Sequence, residues 1–558
     1  MKCSPCSEFE TICAVEKFRS LTREEIGYIT GSKQIEKECE REKNGMSKEK
    51  VRKIKKPARE TLDKSLKPHW VWAIALGSSI GWGAFVQPTT WMGQAGPLGV
   101  IIGFFIGAAL MMLIAVSYGF LIHKFPVSGG EFAYAFIGMG RKHAFFCSWF
   151  LTLGYICIVA LNASAFVLMI KFLFPSFIEH FQLYELAGWS VYLPEIIIAI
   201  VLLGVFGYLN TRGGGLSGSL QFIFCIIMIA GVAAIAGWVG VSPQTDVSNL
   251  KPLFSPDKTA WAAILSIIAI APWAFVGFDN IPQAAEEFNF SSKKAFSLII
   301  FALVVAALLY SVMIIATGMT APWTKLAEGG STWGTADAIM NVLGAGGVAI
   351  LALALVMGIF TGLNGFILSA SRLLFAMSRA KVLPEFLGKT SKKHGTPAVA
   401  VIITVAIAMI APFFGRQVLL WIVDMSSIGV SIAYFYTCLT AYKLHKWKEA
   451  DIEDGAAHVA SPMKKAIAGF GCVASVAFIG LLLIPASPAF MGKESLIALV
   501  IWGIIGVIFY LSKRKEYNAI SHDELSYLIL GKKLELGGAH PDEIREAEAS
   551  EEEPETVV

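Results

Sequence analysis

The chain has 558 residues, 55% of them apolar and 16% charged, with a mean hydropathy of +0.62. That composition excludes an ordinary soluble globule, in which about 25% of residues are charged. The formal net charge of +4 matters less than its placement, and no nucleic-acid partner is expected.

Residues 1–68 are charged, poor in aromatics and without helical periodicity, so they are expected to form a largely disordered basic tail on the cytoplasmic side. They hold no apolar core of signal-peptide length. Met46-Ser47-Lys48 reads like a natural start, which would make the first 45 residues an extension. The Cys3-x-x-Cys6 pair has no second pair at finger spacing, which favours reduced thiols over zinc.

Hydropathy then predicts twelve apolar spans, at 70–93, 97–122, 144–174, 194–210, 216–240, 260–289, 296–318, 346–378, 398–415, 418–442, 466–485 and 495–512. Loops after even-numbered spans carry sixteen Lys and Arg against six after odd-numbered ones. The positive-inside rule therefore places the even loops and both termini in the cytoplasm, with the plasma membrane as the expected location. No cysteine falls in an outer loop, and 175–193 in particular has none, so no disulfide-linked partner is expected. The tail from 516 to 558 ends in an acidic, solvated run.

Two spans are interrupted at matching points about 195 residues apart: Gly77-Ser78-Ser79-Ile80-Gly81-Trp82-Gly83 in the first, and Ala271-Pro272-Trp273-Ala274-Phe275-Val276-Gly277 in the sixth. In hydrocarbon a helix is rarely broken unless the break lines a cavity. Spans one to five overlay spans six to ten, and an odd number per half makes the repeat inverted, with a ligand site near the midplane. The amides of Gly81, Trp82 and Gly83, at the start of a resumed helix, suit a carboxylate. Carbonyls near Ser79, and those from Trp273 to Val276 behind Pro272, suit an ammonium group. Trp273 is the natural aromatic lid. Asp279, one residue past the second break, and Glu286 are the candidate coupling carboxylates. Glu286 and Glu287 are expected to pair with Lys293 or Arg212, and Asp424 could be a rim residue.

Five segments in order resemble the amino acid-polyamine-organocation superfamily of permeases: Gly77 to Phe85, Phe125 to Tyr134, Leu209 to Gly213, Trp273 to Asp279 with Ala285-Glu286-Glu287, and Asn364 to Arg372 with Ser378 to Pro384. The resemblance covers roughly 65–445 and implies an all-α, twelve-helix membrane fold. Its core at 69–445 would be a five-plus-five inverted repeat, followed by two extra spans in 446–515. It implies transport of an amino acid or related amine by alternating access, proton-coupled or by exchange. It carries the substrate carboxylate to Trp82 and Gly83, the amine to Ser79, Trp273 and Val276, and the occluding role to Trp273. Breaks and resemblance together give a substrate set of Ser79, Ile80, Gly81, Trp82, Gly83, Trp273, Val276, Gly277 and Phe278. Many relatives carry a lysine in the fifth span where this chain has Met228, which puts a lysine-based coupling in doubt.

The expected partners are the substrate, the bilayer and, as candidate coupling ion, the proton; no cofactor is expected. No Walker motif and no nucleophile–base constellation supports an ATPase or another enzyme. The alternative reading is a membrane sensor that binds an amino acid without net transport. Tyr155, Asn364 and Ser427 are the candidates for reading the substrate side chain.

Overall fold

The computed structural model describes residues 59–532, except 187–188, 330, 332, 416, 446–461, 486 and 488–489. The leader to residue 58, with Cys3, Cys6, Cys13, Cys39 and the Met46 start, lies outside the described residues, as does the acidic end from 533.

The helices in chain order are α1 (Pro68–Ile80), α2 (Gly83–Val86), α3 (Pro88–Ala95), α4 (Pro97–Lys124), α5 (Gly130–Met139), α6 (Arg141–Leu173), α7 (Pro175–Ile178), α8 (Leu193–Thr211), α9 (Gly214–Val241), α10 (Ala260–Ala269), α11 (Ala271–Ala274), α12 (Asn280–Gln283), α13 (Ala295–Thr320), α14 (Trp323–Glu328), α15 (Gly334–Arg379), α16 (Ala398–Ala408), α17 (Gln417–Leu444), α18 (Pro462–Leu483), α19 (Lys493–Asn518) and α20 (His522–Leu530). A short hairpin pairs β1 (Gln182–Leu186) with β2 (Trp189–Tyr192) between α7 and α8. Pro68, Pro88, Pro97 and Pro175 open their helices, where a missing N–H costs no hydrogen bond and the fixed φ already suits the helix.

Among the described residues nine helices are long and apolar enough to cross a membrane: α4, α6, α8, α9, α13, α15, α17, α18 and α19. The chain is a multi-pass membrane protein. On α19, Val500, Ile501, Ile504, Val507 and Ile508 are each more than half exposed, which in water would be costly and in lipid is not. The interior is built by α6 packing along α15 and α17, α9 along α15, and α4 along α13, with α1 set among α9, α13 and α15.

Most helix ends fall within a few residues of the predicted spans. The helix expected at 346–378 instead starts at Gly334 and is kinked at Gly344, whose φ is +63. Both tail boundaries shift. Residues 59–67 belong to the packed body: Leu62 and Leu66 are buried, and the Leu66 amide donates to the Glu287 carbonyl at 2.9 Å. After 515 the chain continues in α19 and then α20, which buries Leu525, Leu528 and Ile529 at helical spacing.

Candidate functional site

α1 stops because Gly81 turns to φ +49, ψ −138, a conformation that a Cβ would resist. The Gly81 amide still closes the last turn on the Gly77 carbonyl at 3.1 Å. It is therefore occupied, and the expected three-amide cradle loses that member. The amides of Trp82, Gly83 and Ala84 meet no acceptor among the described residues, as the first amides of a restarting helix do.

The second break lies slightly later than expected. Pro272 sits in the first turn of α11, where it frees nothing, and the backbone leaves the helix from Phe275 to Asp279. Gly277 has φ +131, and a Cβ there would lie 2.6 Å from the Ser79 nitrogen and 2.8 Å from the Ser78 carbonyl carbon. Only glycine allows this approach, so the two breaks touch. The Ser79 hydroxyl, 3.0 Å from the Phe275 carbonyl and 2.8 Å from that of Ala75, ties them together.

Tyr310 of α13 is a further tie. Its hydroxyl stands 2.8 Å from both the Ser79 and the Ala274 carbonyls and 3.4 Å from that of Ile80, with one proton to share among them. The carbonyls expected to receive an ammonium group are thus unequal. Ser79 already accepts from Tyr310, and Trp273 accepts from the Val276 amide at 3.4 Å. Val276 alone of the three accepts nothing from the described residues.

Trp273 is packed edge-on against Trp82 and Trp91, with ring centroids 5.9 and 6.5 Å away. A Cβ on Gly83 would meet the Trp273 ring at 3.2 Å, so the indole packs against the point where the helix restarts. Ile80 is buried in the last turn of α1. Phe278 is directed elsewhere, stacked on Tyr434 and edge-on to Tyr118, with both centroids 5.4 Å away.

Asp279 is fully buried and committed: one carboxylate oxygen accepts the Gly277 amide at 2.7 Å and the other the Tyr155 hydroxyl at 2.8 Å. This local cap fixes the reversed backbone of the break. Tyr155 therefore serves Asp279, and Ser427 donates to the Val423 carbonyl at 2.8 Å. Asn364 is held in a buried network, accepting from Ser217 at 2.8 Å and Asn210 at 3.0 Å and donating to Gln221 at 2.8 Å. Met228 is buried on α9, and two turns earlier Gln221 donates to the carbonyls of Ala73 and Thr361, both at 3.2 Å. The tie from α9 to α1 and α15 is thus a neutral amide.

Glu286 takes partners other than those expected. Arg379 and Arg59 pair with it at 3.0 and 3.3 Å, and the Ser128 amide donates to it at 3.2 Å. Glu287 pairs with Arg372 at 2.7 Å. Arg59 also reaches the Leu528 carbonyl of α20 at 3.2 Å, so Glu286 is the centre of a clamp joining four segments. Asp424 accepts from Ser495 at 2.6 Å near the start of α19. Sequence reasoning missed Tyr310, whose hydroxyl is one of several in its span and had no distinguishing signal, and Glu131, a carboxylate inside the Gly129-Gly130-Glu131-Phe132 motif.

The sequence profile of a family described as amino acid permease matches residues 70–509. The chain is 26% identical over 473 residues to the branched-chain amino acid permease of Bacillus subtilis (strain 168), covering 80% of this chain and 92% of that protein. It is 23% identical over 477 residues to the histidine permease of Lactococcus lactis subsp. cremoris (strain MG1363), covering 82% and 95%. The methylthioribose transporter of Bacillus subtilis (strain 168) is 25% identical over 399 residues, covering 67% and 80%.

Proposed function

Because the chain belongs to the amino acid permease family, we propose that it is a secondary transporter moving an α-amino acid or related amine by alternating access. The observation that carries this reading is the pair of touching breaks. On one side stand the open amides of Trp82 and Gly83; on the other is the open carbonyl of Val276. Donors and an acceptor presented by backbone alone match the two charged groups shared by all α-amino acids, whatever their side chain. Trp273, packed where the helix restarts, is the gate.

In this reading the core is a five-plus-five inverted repeat of a twelve-span protein in the plasma membrane, with the Glu286 clamp at the cytoplasmic end. Ser79, Ile80, Gly81 and Gly277 shape the site, with the carbonyl of Ser79 available only when Tyr310 releases it, while Phe278 anchors the second break to Tyr118 and Tyr434. Asp279 links the second break to the driving force, proton or counter-substrate. Glu286, held by two arginines, acts as a clamp rather than a proton carrier.

Purified protein in liposomes decides the matter. Uptake of one labelled amino acid is measured against a panel of unlabelled neutral, cationic, aromatic and imidazole amino acids and methylthioribose, with and without a pH gradient. Competition that requires both the free amine and the free carboxylate is expected. Binding without uptake in any gradient would favour a sensor instead.

A further inference from the structure

We propose that Glu131 is the proton-binding group of the transport cycle, linked through a buried polar cluster to Asp279 at the second break. The proposal rests on the transporter reading and deepens it.

Glu131, the second residue of α5, is fully buried, and so is Asp279. Neither has a cation within ion-pair distance among the described residues. The arginines on neighbouring elements are engaged elsewhere: Arg372 with Glu287, Arg379 with Glu286, and Arg141 with the Tyr517 carbonyl at 2.9 Å. Burying one uncompensated carboxylate costs several kcal/mol, and two near each other repel as well. The pair is therefore stable when it holds one proton between its two members.

Hydrogen bonding says which member holds it. Both oxygens of Asp279 receive donors, the arrangement of an ionised carboxylate. Glu131 receives one, from the Gln283 side chain. The Tyr118 hydroxyl is placed to bond the carboxyl, although Glu131's other oxygen has no hydrogen bond of ordinary length to a described residue, and the hydroxyls of Tyr134 and Tyr434 nearby have none either. A protonated carboxyl needs an acceptor for its O–H, and a tyrosine hydroxyl can both accept that proton and pass on its own. The remaining titratable groups facing the cluster are Cys147 and Tyr155 of α6. His522 of α20 stacks on Phe136 of α5.

The link to the break is short. Gln283, which holds Glu131, ends α12, four residues beyond Asp279, and Phe278, next to Asp279, packs against Tyr118 and Tyr434. When Glu131 loses its proton, its charge raises the cost of the Asp279 charge and weakens the cap on the Gly277 amide. Proton loss then loosens the break, and by linkage an opened break favours proton loss.

The test uses the full chain, in detergent for binding and in liposomes for transport, with an amino acid found by the uptake screen. Wild type is expected to exchange close to one proton per bound substrate, read with a pH-indicator dye in weak buffer. In Glu131→Gln that exchange should disappear, binding followed by tryptophan fluorescence should lose its pH dependence, and gradient-driven accumulation should fall about tenfold or more. Glu131→Asp should keep a pH dependence with a displaced midpoint. Wild-type proton exchange and accumulation in Glu131→Gln overturn the proposal. If that variant does not fold, an unmoved midpoint in Glu131→Asp overturns it equally. Uptake without proton dependence in the wild type sinks the proton site alone; absence of any uptake sinks the transporter reading with it.

Discussion

Replacing Gly277 by alanine tests the contact on which the site depends. The added Cβ would stand 2.6 Å from the Ser79 nitrogen, where ordinary contacts begin at 3.4 Å, and the opposing atoms are backbone that cannot rotate away. Overpacking of this kind costs about 1–3 kcal/mol, and holding a non-glycine residue at φ +131 adds about 1–3 kcal/mol. The expected loss is thus roughly 2–6 kcal/mol, met partly by moving the two breaks apart. Separation would pull the Val276 carbonyl away from the Trp82 and Gly83 amides, so substrate affinity should fall by at least about tenfold. Gly237 is the control: it is helical and nothing lies within 4 Å of its Cβ position. Its alanine variant should gain about 0.5–1 kcal/mol. Denaturant unfolding in detergent and equilibrium binding measure both effects. If Gly277→Ala matched wild type within about 0.5 kcal/mol and bound substrate normally, the breaks would not meet as described, and the reasoning fails.

Gly83→Val should abolish binding, since its Cβ would start 3.2 Å from Trp273 and its branches would cover the open amides; a methyl ester of the substrate should likewise compete poorly. Parity of ester and parent acid in competition assays would remove the carboxylate from this position. Trp273→Ala should slow transport more than it weakens binding, with Trp273→Phe retaining part of the rate, as stopped-flow binding and uptake on the same preparations would reveal. Tyr310→Phe leaves a carbonyl at each break without its donor and should cost about 1–3 kcal/mol, read by thermal unfolding. Glu286→Gln should lower hydrogen-exchange protection in α20 and in residues 59–66 together, because Arg59 joins both to Glu286; unchanged protection in either segment would mean that the clamp does not couple them.

Much of this protein could be read without coordinates, and for a definite reason. Apolar runs of about 20 residues can only be membrane helices, because backbone groups in hydrocarbon must find partners within their own segment. Gly81 and Gly277 could be recognised as breaks for the same reason. Each acts through its own φ, which depends on the residue and its immediate neighbours. Asp279 next to the second break was also a local inference.

Which groups are free was decided only by the fold. The Gly81 amide is lost to Gly77 one turn back, and the Ser79 carbonyl to Tyr310 from 231 residues away. Glu286 meets Arg59 across 227 residues and Arg379 across 93, whereas Lys293 and Arg212, the expected partners, make no ion pair with it. Glu131 reads as one more motif carboxylate until helix packing surrounds it with tyrosines and, among the described residues, pairs it with no cation. A sequence states which donors, acceptors and charges a chain carries. Tertiary packing determines which of them remain unsatisfied, and in a low-dielectric interior those are the groups left to bind a substrate or a proton.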